Sequence, residues 1–193
     1  MPVHYSQDPW TRVHTRHDIP ADEIISALQK EIRRGHTENA ALIAYEMMTT
    51  SAELEAYMWK RLLCISVEDV GFGNPQAASQ VYTLFKMHEV YQRGEGDRLL
   101  FGIHAVRVLC LSQKDRSTDE LVNWMHAVVE EGGRLPEIPD YALDMHTARG
   151  QQMGRDLDYF LAVGSQVEPE LADRDRTYRQ RLLEIVAERK KAQ

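Results

Sequence analysis

One pattern constrains this chain more than any other. Apolar residues recur at spacings of three and four, and no segment sustains the alternation that a half-buried strand needs. Ile24, Ile25, Leu28 and Ile32 form the first such stripe, after Pro20 opens the helix where its missing N–H costs nothing. Arg33 and Arg34 suit the dipole in the last turn, and Gly35 stops it. A second helix, with Thr37 as N-cap, carries the flat face Ala40, Ala41, Ala44, Met47 and Met48, which lets another helix approach closely. Ser51 caps a third, with the stripe Leu54, Tyr57, Met58, Arg61, Leu62 and Ile65.

Further stripes follow at Ala78, Val81, Tyr82, Phe85 and His88, started by Asn74-Pro75, and at Leu99, Leu100, Ile103, Val106, Leu109 and Cys110. The sixth, capped by Ser117 or Thr118, holds Leu121, Trp124, Met125 and Val128 before Gly132-Gly133. Connections this short place neighbouring helices antiparallel, so the fold class is all-α, an antiparallel helical bundle. His104, mid-helix among apolar residues, reads as a core histidine. From Leu135 the style changes: Pro136, Pro139, Gly150, Gly154 and Gly164 punctuate short pieces before a charged last helix with Leu171, Tyr178, Leu182, Ile185 and Val186 on one side. Its basic end, Arg189 to Lys191, reads as a solvated tail. The division expected is an N-terminal arm over 1–19, a helical domain over 20–134 and an irregular extension with the last helix over 135–193, packed on the same domain. The arm, with His4, His14, His17, Arg12 and Arg16, reads as a terminus whose Trp10 packs back on the body, in preference to a basic arm that docks elsewhere.

With 193 residues, 43% of them hydrophobic and 27% charged, the chain can bury one ordinary core. A net charge of −7 argues against a whole-protein grip on nucleic acid and leaves only a local basic patch for phosphate. No apolar run approaches the roughly 18 residues of a membrane span, and no signal peptide pattern is present, so a cytoplasmic location is expected. Cys64 and Cys110, each in an apolar context, read as buried free thiols.

Two polar groups invite chemistry. Glu68 and Asp69 are adjacent, so on an α-helix they point about 100° apart and do not form a paired-carboxylate site. The favoured reading has one of them accepting hydrogen bonds from Arg61, Lys30 or Arg33 across the helix pair. Asp140, Asp144 and His146 would offer two oxygens and a nitrogen to a divalent metal if one helical turn gathered them, with Arg149 and Arg155 nearby for an anionic substrate. The competing reading, preferred here, has Asp140 capping a short helix, Arg149 pairing with Asp144 and His146 bonding locally. No metal site, catalytic residue or cofactor is therefore assigned.

The motifs resemble the C-terminal region of the replication-associated recombination AAA+ ATPases, relatives of the eukaryotic Werner-helicase-interacting ATPases. That family has a helix ending Ser-Ala-x-x-Lys-Ser-x-Arg-Gly, then Asp-Ala-Ala, then Ser-Glu-Asp-Ile-Gly-x-x-x-Pro. The counterparts here are Ser26-Ala27, Lys30, Ile32-Arg33 with Gly35 displaced by one; Asn39-Ala40-Ala41; and Ser66, Glu68, Asp69, Val70, Gly71, Asn74 and Pro75. Arg61 falls in the family's Arg-rich stretch, and Lys114 with Ser117 is loosely similar to its Lys-Ser-Asn. The likeness runs from Ile24 to Ser117. The chain departs from the family in lacking a Gly-x-x-x-x-Gly-Lys-Ser/Thr phosphate loop, and in having Lys30-Glu31 for Lys-Ser. The resemblance implies a stand-alone helical module similar to the clamp-loader collar. It implies homo-oligomerisation as dimer or tetramer, a separate AAA+ ATPase as partner, weaker DNA association, no membrane and no ATP hydrolysis. Packing and assembly would rest on Lys30, Arg33, Arg61, Glu68, Asp69, Gly71 and Pro75. Two other readings are kept: a metal-dependent enzyme centred on Asp140, Asp144 and His146, and an accessory nucleic-acid binder using Arg33-Arg34 and the termini.

Overall fold

The computed structural model describes residues 8–191; His4 of the arm and the side chain of Lys190 lie outside the described residues. The chain separates into two compact units, Met1–Gly133 and Arg134–Gln193. Among the described residues all regular structure is helical, and the one strand-like pairing is an isolated bridge between His14 and Pro20.

The first unit is built on six helices: α1 (Ala21–Arg34), α2 (Thr37–Thr50), α3 (Ala52–Ile65), α4 (Ala77–His88), α5 (Gly96–Leu111) and α6 (Ser117–His126). The expected stripe of α1 is buried at Ile24, Leu28 and Ile32. Gly35 takes the left-handed conformation at φ 75°; its N–H bonds Ile32 O at 3.0 Å, and His36 N–H bonds Glu31 O at 3.0 Å. This closure uses His36, so α2 begins at once. Thr37 is its first residue and not its cap, with Oγ1 turned back to Gly35 O. Ser51 caps α3 as expected, accepting from Leu54 N at 3.1 Å. Leu54, Met58, Leu62 and Ile65 are buried together with Trp59.

Three expected faces turn out rotated. Asn74 is engaged in a local turn, accepting from Gln76 N, and donates to Ser112 Oγ at 2.9 Å. Helix α4 therefore starts at Ala77 and buries Ala77, Val81 and His88, while Tyr82 is exposed. In α5, Gly102 faces Met48, whose Sδ would lie 2.5 Å from an added Cβ, and Gly102, Ala105, Val106, Leu109 and Cys110 are buried where the helix packs on α2 and α4. Leu100 is left 65% exposed, and His104 lies on the solvent side instead of in the core. The third case is α6. Arg116, not Ser117 or Thr118, stands at the cap position, without a side-chain cap bond, and Asp115 before it accepts from Ser117 N at 2.9 Å. Its shared apolar face is half exposed at Leu121, Trp124 and Met125; among the described residues the helix packs chiefly on its own continuation and on the turn that follows α3.

Two buried carboxylates tie loops to this bundle. Glu46 on α2, 7% exposed, accepts from Arg16 Nε at 3.3 Å, His17 N at 3.2 Å and His17 Nδ1 at 2.7 Å. Trp10 completes the docking of this segment with its ring 4.9 Å from that of Tyr57. Glu55 on α3, 3% exposed, meets Arg98 Nε at 2.7 Å and Arg93 Nε at 3.4 Å. Beside it His88 gives its Nδ1–H to Phe85 O, so its Nε2 lone pair accepts from Arg98 Nη2 at 2.9 Å. The ring lies tilted against Trp59, centroids 4.6 Å apart, and stacks on Phe85 at 5.3 Å.

The second unit holds a 3-10 turn (Asp140–Ala142), α7 (Ala148–Gln152), α8 (Leu157–Tyr159), a π turn (Phe160–Gly164) and α9 (Thr177–Lys191). Its buried apolar side chains among the described residues are Leu143, Leu161 and Val186. Of the expected α9 face, Leu171 lies outside the helix and Tyr178, Leu182 and Ile185 stay exposed. Arginine bonds to backbone carry much of the unit: Arg155 Nη1 holds Asp140 O at 2.6 Å and Leu143 O at 2.8 Å, and Arg179 holds Leu161 O.

Two tests follow from this packing. Leu109→Ala should cost about 2–5 kcal/mol in urea unfolding, the range for a buried leucine, whereas Leu100→Ala should stay within about 0.5 kcal/mol. In the second, burial raises the Glu46 carboxyl, but hydrogen bonds from Thr15, His17 and Arg16 outweigh it and bring it down from 4.5 to about 2. The unfolded chain then binds the extra proton between those values, so this stabilisation is complete above pH 4.5 and is lost as pH falls towards 2. Burial also pushes His88 below its ordinary 6.5, so a further contribution is lost as pH drops below 6.5. Thermal melts from pH 7.5 to 2.5 should show both losses, and Glu46→Gln should flatten the lower limb.

Candidate functional site

The stripe of α3 continues past Ile65 into a single π turn, Ser66–Val70, and then a 3-10 turn, Gly71–Gly73. The wider π turn brings the Glu68 and Asp69 side chains closer to one side than an α-helix would. Both carboxylates consequently face the same donors, which corrects the expectation that they point apart. Asp69 is fully buried. It accepts from Arg33 Nε at 2.5 Å, Gln29 Nε2 at 2.9 Å and Arg116 Nη1 at 2.6 Å. Glu68 takes Gln29 Nε2 at 2.6 Å and lies 3.4 Å from Arg33 Nη2, 3.6 Å from Arg61 Nη2 and 3.5 Å from Arg116 Nη1. Arg61 in turn donates to Gln29 Oε1, and Arg116 to Asp119.

Three elements are drawn together by this cluster: α1, the turn after α3, and the segment from Gln113 to Arg116 after α5. The backbone closes the same joint. Asp115 N–H bonds Asp69 O at 3.0 Å, and Gly71 and Gly73 lie so close that an added Cβ would stand 2.6 Å from Asp115 O and 2.5 Å from Gln113 O. Gly71, at φ 48°, also needs glycine for its conformation. The hydrogen bond that Arg116 donates to Asp69 raises the guanidinium's pKa above its usual value. Burial, and then a 3.2 Å bond from Cys64 Sγ to Glu68 Oε2, pushes the Cys64 thiol up, away from nucleophile chemistry.

Arg33 and Arg61 thus meet the acids as the helix pattern suggested. Lys30 does not: it lies about 100° round α1 from Gln29 and donates to Ser26 Oγ at 2.5 Å. Pro75 is exposed and stands outside the cluster. The two donors that sequence reasoning missed are Gln29 and Arg116. Gln29 was legible in principle, since it sits four residues before Arg33 and shares its face. Arg116 carries no local signal, being brought in across 47 residues.

In the second unit the polar segment follows the competing reading at His146 but not at Asp140 or Arg149. The Asp140 carboxylate receives Arg155 Nη2 on both oxygens, at 2.8 and 2.6 Å, and the Arg155 guanidinium covers the Tyr159 ring at 4.2 Å. Asp144 accepts instead from His146 N at 2.9 Å and contacts His146 Nδ1 at 3.1 Å. The His146 N–H is the main cause that lowers the Asp144 carboxyl below its ordinary pKa. Arg149 is exposed and forms no pair with Asp144, because Gly150, 1.9 Å from Asp144 O to a built Cβ, turns that helix start tightly against the Asp144 backbone. His146 bonds locally, as the competing reading had it. Among the described residues no three His, Cys, Asp or Glu side chains gather as a metal set.

Residues 35–172 match the family model described as MgsA AAA+ ATPase C terminal. The chain belongs to this family. It is similar to replication-associated recombination protein A of Bacillus subtilis (strain 168), with 32% identity over 146 residues, covering 74% of this chain and 34% of the relative. It is also similar to the protein of that name from Haemophilus influenzae, with 27% identity over 124 residues, 64% of this chain and 26% of the relative. The chain therefore spans only about a third of these relatives, or less. Family membership agrees with the resemblance drawn from the Ser66–Pro75 motif and with the all-α fold.

The joint predicts its own sensitivity. Asp69→Asn should lower stability by about 3 kcal/mol in urea unfolding, the low end for breaking a buried pair because both arginines keep some access to water. Gly73→Ala should cost about 1–3 kcal/mol through forced backbone movement, while Lys30→Ala should remain within about 0.5 kcal/mol.

Proposed function

We propose that this chain is a non-catalytic assembly module of a replication-repair AAA+ system. It self-associates as a dimer or tetramer and serves an ATPase engine carried on a separate chain, in the cytoplasm, with DNA association a secondary property. One observation carries the reading. The polar residues of the family motif are engaged with one another in a joint between helices, with Asp69 wholly buried and its oxygens all facing donors of this chain. A general base or metal ligand needs an accessible lone pair, and Asp69, wholly buried among its donors, offers none. Support also comes from family membership and from the names of the relatives, which are replication-associated recombination proteins. No helix among the described residues is long and apolar enough to cross a membrane.

The metal-enzyme reading gains nothing from the geometry, because the Asp140 carboxylate is occupied by Arg155 and Asp144 by His146. Light scattering at micromolar concentration should give a whole-number multiple, two or four, of the 22.3 kDa chain mass. A strict monomer over that range would contradict the proposal. DNA retention in gel shifts should fall steeply with added salt, as phosphate contacts require.

A further inference from the structure

The outward stripe of α2 runs through Glu38, Leu42 and Tyr45, all exposed, with Leu42 at 63%. A leucine this open, in the middle of a regular helix, buries little of its side chain in its own chain. Leu42, with Asn39, also forms the wall between two hollows. One, of about 680 Å³, lies between α1, α2 and the segment before α1, and has Ile19, Ile24, Ala27 and Ile43 along it. The other, of about 490 Å³, lies beyond Leu42 towards the start of α2, where Glu31, His36 and Glu38 stand. The ridge is therefore flanked by two recesses, each large enough for several side chains of an opposing helix.

The charges along this stripe are distributed about Leu42. Towards the C-terminal end, the Arg16 guanidinium covers the Tyr45 ring at 5.3 Å and gives its Nε to Glu46; its terminal nitrogens make no hydrogen bond among the described residues. Towards the N-terminal end stands Glu38, with no ion pair among the described residues. Along the axis, Glu38 lies about 6 Å before Leu42 and Tyr45 about 4.5 Å after it. A two-fold axis at Leu42 would lay two such helices antiparallel. Each Glu38 would then face the Arg16–Tyr45 end of the other copy, and each Leu42 would enter the recess beside its twin. Glu23, at the rim of the larger hollow, is the acid that this pairing leaves on the basic side.

We infer that the Leu42 ridge of α2 is an isologous contact, and that its occupant is the same ridge of a second copy. An apolar patch with a polar rim is the ordinary form of such an interface. The inference rests on the self-association proposed above and specifies the surface that performs it.

The test uses the full chain. Leu42→Cys, treated with a short bis-maleimide, should give a single covalent dimer band, whereas the unmodified chain and Leu100→Cys should give none. Leu42→Arg and, separately, Glu38→Lys should weaken self-association at least tenfold by analytical ultracentrifugation, with helicity and melting temperature unchanged. An oligomer of unaltered mass in both variants, with no cross-link at Leu42→Cys, would overturn this surface and leave self-association standing. A monomeric parent chain would overturn both. If Leu42→Arg fails to fold, the surface-exposed Glu38→Lys and the cross-link still decide.

Discussion

A carboxylate removed from water is tolerated only when its lone pairs are met, and Asp69 is the point where this chain meets that demand most completely. Its partners come from α1 and from the segment after α5, while its own turn extends α3. Losing any one donor would leave buried charge, so the three elements hold a single mutual position. Glu46 and Glu55 repeat the device, each an acid on a core helix receiving an arginine from a loop or a later helix. The helices that these acids join also pack through leucine, isoleucine and Trp59, with alanine and methionine where α2 approaches closely. We read the ionic joints as fixed points added to that apolar packing.

That economy bears on function. In many proteins a pair of adjacent acids beside arginines marks chemistry; here every one of these groups is answered from within the bundle, and the one nearby thiol is pushed towards its inert form. What the first unit presents outwards is shape and apolar surface, at Leu42 and Tyr45 on α2 and along α6. The role proposed above, acting by what it holds together, accords with the chain's place in a family of AAA+ ATPase C-terminal regions. The second unit, tied by Arg155 and Arg179 to backbone oxygens, is arranged around arginine and has few buried apolar side chains.

Much of the helical plan was legible because it is local. The stripe of α1, the Gly35 stop, the Ser51 cap and the face of α3 each depend on residues within a turn or two of one another, and all four are seen. Errors arose where a local signal had two uses. Asn74-Pro75 reads as a helix start, but Asn74 binds Ser112, and α4 begins later on a different face. His104 sits in an apolar neighbourhood in sequence and on the outer side in space, since Gly102 sets which side of α5 meets α2. The pairing of Arg149 with Asp144 was reasonable by spacing and fails because Arg155, six residues further, fits the Asp140 carboxylate and His146 takes Asp144.

By itself, then, the sequence determined that this chain is helical, where most helices stop, and that Glu68 or Asp69 would face basic residues across the helix pair. Periodicity and capping act over a few residues, and one chain carries them in full. Tertiary structure alone decided that both acids share one side through a π turn, that Gln29 and Arg116 complete the joint, and that Leu42 remains open. Those outcomes depend on contacts between segments as many as 47 residues apart. Such contacts are set by the joint packing of all the helices, which no local pattern records.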